Sequence, residues 1–439
     1  MRFKSEQFKE IVKESWDISW PMVLIMLFEF FMGLADVYVA GRVSSQAQAA
    51  YGLAFQIYIV FLIPTMAFTN GTVSLVSRLF GAGSPRLKST ASTSLMAMLV
   101  FGSAACIFAV FIGPLIVSLM HVPWEIKPLA ARLIQIYAFA LAFEYPLINA
   151  NGILRSCGRI RRALLAMTLA CALNIILNFF FVLCTPMKAT GIALATVISL
   201  FVGLVFVALP TLQISGLPKI FDRGAAGEMV SLSWPIGLLQ ILWSTGAIAL
   251  VGILGSLPKD SVAVLAAFTA GLKVESAIFL PAFAFNMANA VVVGNMLGKN
   301  DTCRAYRAGF ITAGMGVVLV AVLSLVVVCN ARQILGVLSD NPLVIDNGVS
   351  YICISLLFEP LMAWGVILGG GLSGAGYNKD VMLIVGGSIW LVRLPLCYIC
   401  GVILGWGAVG VWWAMNVSVI CQGLLTIWRY RRRMRPVEV

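Results

Sequence analysis

What most restricts this chain is a succession of long apolar stretches with short polar breaks. About 20 apolar residues suffice to cross a bilayer as a helix. Twelve stretches reach that length: 15–40, 50–77, 91–118, 131–154, 163–185, 190–212, 230–255, 262–297, 306–328, 343–370, 381–404 and 408–428. In lipid the backbone finds no partners outside itself, so spanning segments are helices or closed barrels. Barrel strands would be short and would alternate apolar with polar residues, and these stretches do not. The expected fold is an all-α integral membrane protein of twelve transmembrane helices. A chain that is 61% hydrophobic and 11% charged could not clothe a soluble body of 439 residues. The eighth stretch exceeds a span and is expected to project in part. Prolines within spans (Pro21, Pro64, Pro146, Pro235, Pro281, Pro360 and Pro395) are expected to mark kinks. The first residues, "MRFKSEQFKEIVKESW", lack an apolar core and cleavage site and read as a short surface helix, not a signal peptide.

Lys and Arg number 30 against 18 acids, a net charge of +12. A nucleic-acid binder would gather such charge on one domain. Here it is scattered over the breaks, where it reads as topology, because Lys and Arg accumulate in cytoplasmic loops. With the N-terminus inside, that side holds 22 of the 30, including Arg2, Lys4, Arg155, Arg159, Lys219 and the arginines of 429–435. The opposite side holds six, Lys259 among them, and Lys273 and Arg393 fall within spans. Both termini are expected in the cytoplasm, on a multi-pass protein of the plasma (inner) membrane that contacts lipid and no nucleic acid.

The chain also repeats itself. "ISWP" (Ile18–Pro21) returns as "LSWP" (Leu232–Pro235), and "IPTMAFTNGTVSLVSRLFG" (Ile63–Gly81) as "LPAFAFNMANAVVVGNMLG" (Leu280–Gly298). "GILRSCG" (Gly152–Gly158) returns as "GGLSGAG" (Gly370–Gly376), and "GIALAT" (Gly191–Thr196) as "GVWWAM" (Gly410–Met415). The spacing stays between 214 and 219 residues. Two six-span lobes follow, 1–212 and 230–439, joined by a cytoplasmic linker at 213–229. An even number of spans keeps both copies in one orientation, so they are parallel repeats about an axis along the membrane normal. Their seam is the expected central cavity, and alternating access by rocking is the natural mechanism of such a body.

Asp36 lies deep in the first apolar run. A charge at the bilayer centre costs about 2.5–3.5 kcal/mol on insertion scales and faces the bundle interior. Desolvation disfavours a charged carboxylate and can bring its protonation into the physiological range. That suits a proton-coupling site; a structural acid bonded to a neighbouring helix is the alternative. Glu29, seven residues earlier, shares a helix face with Asp36; it either lines the cavity or makes a structural hydrogen bond. In span 5, Asn174 and Asn178 are four apart on one face, and span 6 offers Thr196. Interhelical hydrogen bonding is their plain reading. Glu144 and Glu359 each precede a proline at matching places in the two copies, as cavity walls or as solvated acids at the membrane edge. Lys273 and Glu275, two apart, face away from each other. Glu275 either pairs with Arg393 of span 11 or lines the cavity.

Other signals are weak. The ten cysteines lie mostly in apolar segments, and Cys397 and Cys400 read as packing. One histidine, His121, is too few for a metal centre. "GGGLSG" (Gly369–Gly374) fits a dinucleotide fingerprint only formally, since it ends a hydrophobic span. No Walker A motif is present, which argues against an ATP-driven pump; no cofactor and no metal are expected. A membrane-embedded enzyme would need clustered His, Cys or paired acids near an interface, and none is evident.

The segments "DVYVAG" (Asp36–Gly41), "LFGAG" (Leu79–Gly83), "KVESAIFLPAFAFNMANAVVVGNMLG" (Lys273–Gly298), "ILGGGLSGAG" (Ile367–Gly376) and "WLVRLPLCY" (Trp390–Tyr398) together resemble the multidrug and toxic compound extrusion (MATE) transporters. The resemblance covers nearly the whole chain and is closest to the DNA-damage-inducible F branch. It implies two six-helix lobes in a V around a central cavity, and cation-coupled export of amphiphilic, often cationic small molecules by a protein expected to act as a monomer. It also implies a first-lobe coupling site of Asp36 with Asn174, Asn178 and Thr196, and a hinge at Pro21. Relatives with a cation site carry an acid where Asn178 stands, so the resemblance favours H+ over Na+ here. "KVES" matches a basic-x-acidic-Ser signature in which Arg is commoner than Lys273. Another branch places an acid near Trp243, where this chain has Trp243 and Ser244. Glu29, Glu144, Glu275, Glu359, Lys273 and Arg393 remain candidates for the cavity and its substrate. A flippase for lipid-linked saccharides of the same superfamily is the alternative; it would want a more strongly charged cavity than these mostly acidic spans provide.

Overall fold

The computed structural model describes residues 5–216, 221–257, 261–339 and 341–435. Arg2, Lys4, Lys219 and Lys259 of the charge count lie outside them. Among the described residues the elements are all helical: α1 (Ser5–Val43), α2 (Ser45–Gly81), α3 (Arg86–Leu119), α4 (Lys127–Ser156), α5 (Ile160–Cys184), α6 (Ala189–Ser215), α7 (Arg223–Gly255), α8 (Ser261–Gly298), α9 (Thr302–Cys329), α10 (Ala331–Leu338), α11 (Pro342–Gly374), α12 (Asn378–Gly387), α13 (Leu394–Tyr398) and α14 (Gly407–Met434). Counting Asn378–Ile403 as one, twelve are long and apolar enough to cross a membrane.

Two sequence expectations change. No break separates the polar N-terminal segment from the first span, because Ser5–Val43 is one helix of 39 residues. Its Glu, Lys and Ile residues are adequate helix formers, and no glycine precedes Gly33. The eleventh stretch is not a plain α-helix. Ser388–Arg393 and Ile399–Ile403 are π-helical and flank α13, which carries Pro395. A proline lacks the amide hydrogen that an α-turn needs, and widened turns absorb the mismatch.

The chain forms two compact units, Leu24–Trp234 and Pro235–Val439 together with Met1–Val23. Their limits therefore fall inside α1 and α7, and the residues read as a linker at 213–229 already enter α7 at Arg223. In the Leu24–Trp234 unit α4 is the central helix, packed on α2, α3 and α6. The start of α7 belongs to this unit. Met229 is fully buried, the Ser233 hydroxyl donates to the Phe68 carbonyl at 3.4 Å, and a Cβ at Gly71 would meet Ser233 Oγ at 2.2 Å. In the second unit α11 is central, packed on α8, α9 and α14. The start of α1 belongs there. Ile11 joins its apolar core, Thr312 Oγ1 donates to Ser15 Oγ at 2.8 Å, and Arg304 pairs with Glu10 and Glu14 at 3.1 Å. The matching roles of α4 and α11 are the sequence repeat expressed as packing.

Candidate ion-coupling site

Asp36 sits two turns before the end of α1. The chain then turns in a single residue. Ser44 is extended, its hydroxyl accepts from the Ala47 amide at 3.0 Å, and α2 starts at once. This tight return lays α2 beside α1 and brings Tyr51 to Asp36, with its hydroxyl donating to Oδ2 at 3.3 Å. From α5, Asn178 Nδ2 donates to Asp36 Oδ1 at 2.5 Å and to Asn174 Oδ1 at 3.0 Å. Asn174 in turn donates to Thr196 Oγ1 of α6 at 3.2 Å, and Thr196 donates to the Ile192 carbonyl at 3.2 Å. Asp36 is 3% exposed and both asparagines are fully buried. Four helices thus supply one continuous polar chain, and among the described residues Asp36 is its only carboxylate. Asn178 Oδ1 is buried without a partner among the described residues.

The tyrosines were not anticipated. Tyr51 meets Tyr137 of α4 edge-on at 6.4 Å between ring centroids, and Tyr137 lies 5.2 Å from Tyr58. Tyr58 donates to Glu144, and Tyr145 donates to the Phe61 carbonyl at 2.5 Å. The column therefore runs from Asp36 to a second acid. Tyr51 and Tyr58 are seven apart, Tyr137 and Tyr145 eight apart, so each pair shares a helix face. That spacing was the available signal, since a buried phenol requires a partner.

The remaining candidates divide. Glu29 is exposed, and among the described residues it joins no hydrogen bond of the Asp36 network; its charged neighbours are Arg155 and Glu144. Pro21 lies inside α1, fifteen residues from Asp36, or about 22 Å along the helix. In the second unit Lys273 is exposed, whereas Glu275, Glu359 and Arg393 line one cavity. The expected Glu275–Arg393 ion pair is not made. The buried Tyr351 hydroxyl needs an acceptor and takes Glu275, while Arg393 Nε donates to Ser418 Oγ at 2.9 Å. Glu359 is only 2% exposed, so it is not a solvated acid at the membrane edge.

Twelve membrane-crossing helices in two matched units, each with a polar site inside, describe a multi-pass membrane carrier. The MatE family model matches residues 21–180 and again 235–399, once in each repeat. The chain belongs to the MatE family, whose members are transporters and not enzymes. It is 24% identical over 447 residues to the probable multidrug resistance protein NorM of Rhodopseudomonas palustris, covering 97% of this chain and 92% of the relative. The NorM homologue of Thermotoga maritima is also 24% identical, over 96% of this chain and 92% of its own. In fold the chain is similar to the Vibrio cholerae MATE transporter VcmN in the bent form, with a TM-score of 0.91 at 17% identity over 98% of each chain. A transporter of the wider MOP superfamily from Pyrococcus furiosus superposes at 0.88 with 19% identity over 99% of each chain.

Proposed function

We propose that the protein exports amphiphilic, mainly cationic compounds in exchange for protons. It does so by alternating access across the plasma (inner) membrane, as a monomer with both termini in the cytoplasm and no cofactor. The names of the NorM relatives support the multidrug part of this reading. The proton part rests on one observation: Asp36 is the only carboxylate of its buried network, and Asn178 supplies an amide where a second acid would favour a metal ion. Sodium is a hard cation that prefers anionic oxygens. A proton needs one acceptor and a way to rearrange the bonds around it. Ionised, Asp36 accepts from Tyr51 and Asn178. Protonated, it must donate, and half a turn of the Asn178 amide would present the unpartnered Oδ1 as acceptor. Protonation would thus rewire the contact of α1 with α5. α1 would then bend near Pro21, close the first-lobe cavity and expel cargo, and deprotonation at the cytoplasmic side would reset it. Exchange requires that proton and cargo each weaken the other's binding, and the effect is reciprocal.

The test is efflux of a fluorescent organic cation from intact cells, with proton and sodium gradients imposed separately. Efflux is expected to follow the proton gradient and to be abolished in Asp36→Asn. Sodium-driven efflux, or full activity of that variant, overturns the proposal.

A further inference from the structure

The last turns of α14 carry Arg429, Arg431, Arg432 and Arg433, and Arg435 follows directly. These five arginines divide between two faces. Arg429 Nη2 donates to Asp380 Oδ1 at 2.7 Å, and Arg433 Nε donates to Asp380 Oδ2 at 3.1 Å. That face is locked to the start of α12. Between the two faces Tyr430 fixes the rotation of the helix. It is fully buried, its hydroxyl donates to the Ala305 carbonyl at 3.1 Å, and it packs where Gly309 of α9 leaves room for it.

The other face keeps its charge. Leu424, Leu425, Trp428, Arg431, Arg432 and Arg435 recur at the spacing of a single helix face, and all six are exposed. Among the described residues no carboxylate lies within ion-pair distance of these three arginines. Two of them are held ready. The Arg432 guanidinium carbon lies 5.4 Å from the centroid of the Trp428 ring, and that of Arg431 lies 5.7 Å from the centroid of Phe310 of α9. Stacking on a ring orders a guanidinium and leaves the N–H donors at its edge open to an anion.

The stripe thus passes from leucine through tryptophan to arginine in about three turns. Tryptophan gathers at the boundary between lipid and water. Basic clusters just beyond a span attract anionic lipid. The fold does not call for this cluster. α6, the counterpart of α14 in the first copy, has no basic residue in its last turn, whereas α14 has three. We propose that this face of α14 binds an anionic phospholipid, with the phosphate on Arg431 and Arg432 and an acyl chain along Leu424, Leu425 and Trp428. Guanidinium forks suit phosphate, and the apolar half of the stripe selects a lipid over a free phosphate. That the lipid belongs to the cytoplasmic leaflet rests on the proposed orientation of the termini; the site itself does not.

Native mass spectrometry of the purified full-length protein tests the site without any transport step, so its failure would leave the coupling reading untouched. The protein is titrated with phosphatidylglycerol or with phosphatidylcholine of the same acyl chains, and bound lipid is counted. Each arginine at such a surface strengthens binding about fivefold, so three of them should favour phosphatidylglycerol about a hundredfold. Arg431→Gln together with Arg432→Gln should cut that preference about 25-fold and leave phosphatidylcholine binding unchanged. Arg431→Lys together with Arg432→Lys keeps the charge and should keep most of the preference. Glycerol phosphate, which has the phosphate and no chains, should compete only at far higher concentration than the lipid. Equal binding of the two lipids by the unaltered protein overturns the proposal. So does a double Gln variant that folds and keeps the full preference, and so does glycerol phosphate that competes as well as the lipid.

Discussion

At the residue scale the Asp36 network turns on one amide. Asn178 donates to two acceptors and keeps its own oxygen unpartnered. Asn178→Asp would place a second carboxylate beside the first. This variant is expected to gain sodium-driven efflux, and the readout is transport under a sodium gradient with the proton gradient collapsed. Tyr51→Phe removes one donor from a buried carboxylate. It should lower stability by about 1–3 kcal/mol, seen as a lower thermal transition of the purified protein. The sequence exposed Asp36 and the two asparagines because polar residues in apolar runs are conspicuous and a spacing of four is local. It hid Tyr51, since a tyrosine in a span is ordinary and its partner lay across a turn. The Glu275–Arg393 pair failed for a related reason: opposite charges on two spans attract notice, while the phenol and hydroxyl that claim them do not.

At the element scale the glycine-rich end of α11 is explained by contact. A Cβ at Gly370 would lie 2.1 Å from the Asn286 carbonyl oxygen, and one at Gly374 2.1 Å from that of Ala290, so the backbones of α11 and α8 nearly touch. Small residues four apart are the usual means of such an approach in membranes. Gly374→Leu should therefore prevent accumulation of folded protein, measured by size-exclusion profile. Gly369→Ala should be tolerated, since only Val381 comes near, at 3.7 Å. In α1 the proline is the element's weak point: a helix-interior proline costs about 3 kcal/mol relative to alanine. Pro21→Ala should stiffen α1, so that cargo still binds while efflux is lost. Hydropathy marks where a helix runs, which made the spans readable. It carries no trace of one extra residue in a turn, and the π-helical segments of the eleventh span went unread.

At the scale of the whole molecule, length of apolar run and repeat spacing revealed the twelve spans and the two copies. The limits of the compact units did not follow from them, because unit membership depends on which distant core a helix end fills. The described part of α1 up to Val23 packs with the second half, and the first turns of α7 pack with the first. A fragment of residues 221–439 should accordingly be more sensitive to protease than the same residues within the intact protein, and co-expression with residues 1–216 should restore resistance. The arrangement also sets a clock on biosynthesis. Ser15 leaves the ribosome early, yet its partner Thr312 lies 297 residues further on. At typical rates of synthesis that is a wait of roughly 15–60 s. The earliest part of the chain is thus among the last to find its place, and this transporter cannot mature simply from front to back.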